Sequence, residues 1–476
     1  MKPLIATVAA CLALAAALPS FAQESAPDFA NNALIARGAA VAIEGDCAAC
    51  HRSVEPHGAQ YVGGYKIESP LGAIVAPNIT PSKTAGIGEW SFAEFDDAMR
   101  KGKRRDGANL YPAMPYTAYQ GLSTADMQAL YAYFMHGVKP VDNRASETHL
   151  PFPFGIRMLM GPWNWLFTLD KPYKTNAALS PQAQRGQYLV ETLGHCGSCH
   201  TPRNIMMAEK SGEALGGGDI GGWHAPNITS DPVSGIGGWS QDELVAYLRD
   251  GRAPGKGIAA GGMAEAVEHS LQHLPQADLA AIAAYLKASK PIRDPVETRP
   301  AFAWTETRPV KLAAYEPGNG ASEASYADSS TTDGAFLYAG ACASCHAMDG
   351  RGTKDHFYPP LAGSVTTGAV NPANLIMTIL GGVDRESGVG HAFMPSFANQ
   401  MTDAQIAAVA NHVLQRFGRA ETVVTTDMVA TARKGGEAPL LLRLMPWLVG
   451  VGALLFALLA FVSVRRISHR AASSTV

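Results

Sequence analysis

The chain has 476 residues, more than one hydrophobic core usually holds, which points to about three domains. Its 47% hydrophobic and 17% charged residues are ordinary for globular protein. A net charge of -3 argues against a nucleic-acid partner.

Met1-Lys2, an apolar run from Leu4 to Leu18 and the small-x-small pattern Ser20-Phe21-Ala22 read as a signal peptide over residues 1–22. Gln23 then becomes the mature N-terminus. A short buried helix would not run into Pro19 and a polar stretch.

A first unit is expected over residues 30–140. Ala33 to Ile43 has a helical pattern, with Gly38 where a second helix could come close. It leads into Cys47-Ala48-Ala49-Cys50-His51, the attachment signature of a c-type haem. The two thiols, on one turn, can add across the vinyl groups of one porphyrin, and the histidine can ligate its iron. Ala76-Pro77-Asn78-Ile79-Thr80, Gly86-Ile87-Gly88-Glu89-Trp90-Ser91 and Leu110-Tyr111-Pro112-Ala113-Met114-Pro115 follow. A last helix from Ser123 to Met135 carries Met127, Leu130, Tyr131 and Phe134 on one face.

Residues 141–178 form a connection rich in Pro and aromatics, including Pro151-Phe152-Pro153-Phe154 and Trp163-Asn164-Trp165. An exposed linker would be polar, so this one is expected to pack within the chain or against a partner. A second unit over 179–290 repeats the first at an offset of 149 residues: Cys47 to Cys196, Asn78 to Asn227, Trp90 to Trp239, Met114 to Met263. Its motif is Cys196-Gly197-Ser198-Cys199-His200. This is an internal duplication. The repeated Asn-Ile-Thr strings match a glycosylation pattern but read as structural turns.

A linker is expected over 291–332, rich in Gly, Pro, Ser and Thr. The third unit, over 333–420, carries Cys342-Ala343-Ser344-Cys345-His346, replaces the Asn-Ile-Thr block with Pro359-Pro360-Leu361-Ala362-Gly363, and closes with a helix from Asp403 to Phe417. Residues 444–464 are uncharged and long enough to span a bilayer. Arg465, Arg466 and Arg470 follow, which places them inside and the haem units outside.

Three copies of the motif are not chance. A thioredoxin-like pair needs a βαβ setting and no fixed histidine, a zinc site would combine two Cys-x-x-Cys units, and disulfides rarely span a two-residue gap. Six of the seven cysteines lie in the motifs and Cys11 lies in the signal, so the mature chain has no spare thiol. That suits a periplasmic location.

The sixth iron position decides the chemistry. A methionine thioether favours Fe(II), raises the potential and blocks substrates, which suits electron transfer. Met114 and Met394 each precede a proline in an irregular loop just before the last helix of their units. Met263 occupies the equivalent place in the second unit, with Ala264 instead of proline; nearby His269 or His273, or an open position, are its alternatives. His195 reads as a surface or supporting residue, and Met99, Met127 and Met377 as packing. Gly216 to Gly221 matches G-x-G-x-x-G without a βαβ unit and is discounted as a dinucleotide site. The expected fold is mainly α: three tandem class I cytochrome c domains, each with one covalent haem c, plus a C-terminal transmembrane helix.

The three motifs, the Asn-Ile-Thr and Gly-Ile-Gly-x-Trp-Ser strings, Leu110 to Tyr116, Tyr131 to Pro140 and Thr201-Pro202-Arg203 together resemble the triheme cytochrome c subunit of membrane-bound dehydrogenases of acetic-acid and related bacteria. That family serves gluconate, sorbitol, fructose and alcohol dehydrogenases. Leu150 to Phe154, Met263 to Leu274 and the C-terminal anchor look more like its flavoprotein gluconate or sugar branch than the quinoprotein alcohol or aldehyde branch. The resemblance implies the axial pairs His51/Met114, His200/Met263 and His346/Met394. It also implies a catalytic dehydrogenase subunit containing FAD, a small third subunit, and electron delivery to ubiquinone at the inner membrane. A multihaem peroxidase and a terminal-oxidase cytochrome subunit are the other readings.

Overall fold

A computed structural model describes residues 27–55, 58–69, 71–168, 173–308 and 329–473. The expected signal peptide and residues 309–328 of the expected linker before the third unit lie outside them. The fold is predominantly helical, with short two-stranded antiparallel hairpins between helices.

In each unit the first and last helices cross at a glycine. The opening helix of the first unit, Asn32–Glu44, is capped by Asn31, whose side chain accepts from the amides of Ala33 and Leu34. It crosses Thr124–Ala132 where Gly38 lies against the carbonyl of Ala129; a Cβ there would sit 1.9 Å from that oxygen. In the second unit Pro181–Tyr188 crosses Gln276–Ala288 at Gly186, with the same 1.9 Å clearance to Ala281 O. In the third, Gly334–Ala341 crosses Asp403–Phe417, and a Cβ on Gly334 would lie 2.3 Å from Ala408 O. A side chain at any of the three would push the helices apart.

The duplication extends to helix ends. Phe92–Lys101 and Gln241–Asp250 both start in a capping box, Ser91 with Glu94 and Ser240 with Glu243, and both stop at a left-handed glycine, Gly102 and Gly251. The expected final helix of the first unit is shorter than the sequence suggested: it leaves α geometry at Tyr133 for a π-turn, Tyr133–Gly137.

Core side chains of the first and second units merge. Val41, Met127, Leu130 and Phe134 from the first share one buried cluster with Leu189, Leu193, Leu279 and Ile282 from the second. Polar groups fasten the same seam. Buried Glu44 takes Arg37 at 2.9 Å and Arg185 of the second unit at 3.1 Å, while Tyr188 donates to Asp126 at 2.7 Å. The third unit has its own cluster around Leu337, Ile376, Leu414 and Phe417. It reaches the second through the hairpin Val383–Ser387/Gly390–Met394. From its first strand Arg385, 1% exposed, donates to the carbonyls of Gly251 and Ala259 at 2.8 and 3.1 Å.

The connection between the first two units divides its side chains. Trp163 and Asn164 are buried: Trp163 Nε1 donates to Met206 O at 2.8 Å, and Asn164 Oδ1 accepts from the hydroxyl of buried Tyr116 at 2.8 Å. Leu150 is also buried and Met160 and Phe167 pack against Trp163, whereas Phe152, Met158, Leu159, Trp165 and Leu166 are exposed. At the C-terminus Leu440–Ser473 is one helix, and its stretch Leu440–Ser463 is long and apolar enough to cross a membrane, with none of its apolar window buried.

Candidate functional site

Each motif forms a single helical turn: Cys47–Cys50, Gly197–His200 and Ala343–His346. Asp46 and His195, equivalent residues just before the first two turns, have left-handed backbones (φ 52° and 37°), which breaks the preceding helix and redirects the chain. None of the six thiols is paired with another. Burial pushes the thiols of Cys47, Cys50, Cys196 and Cys342 up to about 12. A redox pair needs a thiolate near neutral pH, so these are poor redox cysteines.

The histidines show what they are set up to do. His51 Nδ1 lies 2.8 Å from Pro77 O, His200 Nδ1 2.7 Å from Pro226 O, and His346 Nδ1 3.0 Å from Pro359 O. A carbonyl only accepts, so Nδ1 carries the proton and the lone pair sits on Nε2, free for a metal. Burial lowers all three histidines below the ordinary value, which keeps the rings neutral.

The prolines were not singled out from sequence, although Pro77 and Pro226 stand inside the repeated strings. Asn78 and Asn227 explain those strings. Each Oδ1 accepts from the amide and hydroxyl of the threonine two residues on, at 2.7–2.8 Å, and each Nδ2 donates to a distant carbonyl, Val141 O or Ile292 O. The asparagine locks the turn that holds the proline carbonyl in place. It is a structural residue, as expected, and Asn78 is buried.

A cavity of about 1470 Å³ is lined by residues of all three units. Cys47, Cys50, His51, Met114 and Cys199 are among them. That is ample room for a cofactor larger than most drug-sized ligands. His195 also lines it, turned inward against Tyr119 with ring centroids 5.6 Å apart, and so is not the surface residue considered from sequence. Burial holds its pKa down at about 4. Cys196 and Met263 pack on the shared core of the first two units, and Cys342 with Met394 on the core of the third.

Met114 lies in a turn between Tyr111 and Tyr116, an irregular loop as expected. The other two methionines have different settings. Met394 ends a strand, opposite Val383, because the insertion of Arg385 into the second unit orders the segment ahead of it as a hairpin. Met263 lies in the first turn of an added helix, Gly262–His269, where the Ala264 amide donates to Gly261 O at 2.9 Å, a bond proline could not make. The Gly216–Gly221 stretch is a hairpin, with Gly218–Ile220 paired to Trp223–Ala225 and no helix after it, which removes the dinucleotide reading. Met99 and Met127 are core residues.

Unpaired thiols on one turn, a neutral histidine with its Nε2 free, and an apolar cavity beside them fit covalently held haem c. The model for the cytochrome c family matches residues 35–137 and 331–416. The fructose dehydrogenase cytochrome subunit of Gluconobacter japonicus is 45% identical, over 96% of each chain. The gluconate 2-dehydrogenase cytochrome c subunit of Pantoea cypripedii is 39% identical over 91% of this chain and 95% of its own. The cytochrome c subunit of the quinone-dependent alcohol dehydrogenase of Gluconacetobacter polyoxogenes is 39% identical over 88% of both.

Proposed function

Because the chain belongs to the cytochrome c subunits of membrane-bound bacterial dehydrogenases, we propose that it takes electrons from a catalytic subunit, carries them through three haems c, and passes them to ubiquinone. It is the electron-transfer subunit of such a dehydrogenase; the number of haems, their ligands, the acceptor and the periplasmic orientation are our reading.

Haem c, when bound, supplies a one-electron Fe(III)/Fe(II) couple. The chain supplies its setting. Cys47 with Cys50, Cys196 with Cys199, and Cys342 with Cys345 tether one group each. His51, His200 and His346 would ligate the iron through Nε2, and Met114, Met263 and Met394 would supply it with a soft thioether ligand. The observation that supports this is the threefold Nδ1–proline carbonyl bond, which orients all three half-buried histidines to leave Nε2 free, as a metal ligand needs.

In this reading 30–140, 179–290 and 333–420 are three cytochrome domains, residues 1–22 are removed on export, and Leu440–Ser463 anchors the chain in the inner membrane. The partner is a flavin-containing sugar or polyol dehydrogenase with a small third subunit. The 45% identity with a fructose dehydrogenase subunit, against 39% with the alcohol-type one, supports the sugar branch.

The test is reduction of the haem band in detergent-solubilised membranes by fructose, gluconate, sorbitol, ethanol and an aldehyde, each added without mediator. One substrate should reduce it at once, and ubiquinone should reoxidise it. If dithionite alone reduces the band while the dehydrogenase subunit is present, the electron-carrier role is wrong.

A further inference from the structure

The connection between the first two units leaves an apolar surface for which the electron-carrier role gives no reason. Phe152 is 75% exposed, Met158 77% and Trp165 70%, with Leu159, Leu166 and Met206 also exposed. Trp163 and Asn164, on the same short helix Met160–Phe167, are buried, so the outward row is held rigidly in place. From Leu150 to Thr168 the only charged residue is Arg157. A monomeric soluble surface does not normally gather so many large apolar side chains.

Its position identifies the occupant. Gly222, in a hairpin turn of the second unit, packs against the backbone of Ala432 and Gly436, just before Leu440 starts the apolar helix. Beside that turn Ile220 is exposed. Leu159, Leu166 and Met206 line the same cavity as Ile220 and as Leu441 and Met445 of the helix itself. That cavity connects Leu159 and Leu166 of the exposed row to the start of the apolar helix. Trp165 and Trp447 are both exposed, as aromatic residues are at bilayer boundaries.

We propose that Phe152, Met158, Leu159, Trp165 and Leu166 form a second membrane contact, seated in the headgroup–acyl boundary of the phospholipid bilayer beside the transmembrane helix. The proposal rests on Leu440–Ser463 being the membrane anchor. One helix fixes the chain to the bilayer but leaves it free to swivel. A second contact fixes which face looks down and brings the cavity rim to the lipid surface.

The experiment uses the full haem-loaded chain with a protease site placed between Lys434 and Glu437, reconstituted into phosphatidylcholine–phosphatidylglycerol vesicles without any dehydrogenase. Before cleavage it should float with the vesicles; if it does not, the anchor reading has failed. After cleavage the haem-bearing part should stay on the vesicles. The double variant Trp165→Asp, Leu166→Glu, with an unchanged reduced-haem spectrum, should release it, lowering the bound fraction about tenfold or more. Complete release of the cleaved parent overturns the proposal. So does a variant that keeps its vesicle binding here but, when purified from its own membranes, no longer brings the dehydrogenase with it, which would make this surface a protein interface.

Discussion

A proline carbonyl sets the tautomer of each motif histidine, and a methionine thioether is our proposed second ligand to the iron. Met114→Ala and Met394→Ala should each lower the potential of one haem by roughly 100 mV or more, within the range axial ligands span, and let that haem bind carbon monoxide. Redox titration and the carbon monoxide spectrum measure both; unchanged midpoints would remove the methionines from the ligand set. His195 gives a prediction about pH. Burial lowers its pKa to about 4 from the ordinary 6.5, so the folded state holds the neutral ring and the unfolded chain takes up the proton first. Stability is therefore full above about pH 6.5 and falls as pH drops toward 4. Denaturant unfolding at pH 7 and pH 5 should show the loss, and His195→Asn should shrink it; an equal loss in both proteins would place the cause elsewhere.

Among the elements, the helix crossings repeat most faithfully. Gly38→Ala or Gly186→Ala would put a methyl into a backbone carbonyl of the facing helix. Each should cost roughly 2–4 kcal/mol, read from the unfolding midpoint, whereas Ser91→Ala, which loses only a cap, should cost about 1 kcal/mol. Gly38, the Cys-x-x-Cys-His turns and the helix from Asp403 to Phe417 were legible in the sequence because each depends on local spacing. The hairpin that ends at Met394 was not. Its strands carry Asp384, Arg385 and Glu386 without a strand-like alternation, and what orders them is the burial of Arg385 in another unit, a contact no local pattern encodes. Nor could spacing show that the connection would bury Trp163 and expose Trp165.

Across the whole molecule, the first two units share a core while the third is joined to them at a few polar points. Arg385 is the most buried of these, and carbonyls rather than a carboxylate receive its guanidinium: Gly251 O, at the end of Gln241–Asp250, and Ala259 O. Arg385→Ala should leave a cavity and unpair Ala259 O, while Gly251 O keeps the Ala259 amide, costing roughly 2–4 kcal/mol of the coupling between units. Calorimetry should then resolve a separate, earlier transition for the third unit; one unsplit transition at the parental temperature would show the joint is made elsewhere.

The helix Gly262–His269 is gripped from both sides. Its Glu265 takes Arg52 and Tyr65 of the first unit at 3.1 and 3.0 Å, Ser270 just after it donates to Ile43 O at 2.6 Å, and Glu268 accepts from the Glu386 amide of the third at 3.2 Å. An electron hopping onto a centre changes its charge, and every loose dipole nearby must turn in answer, which slows the hop. With Met263 as a ligand of the second haem, as proposed, the dipoles of this helix would be tied to both neighbours and have little room to turn. The same clasps that hold three units together would then make the central station quick to accept and quick to release.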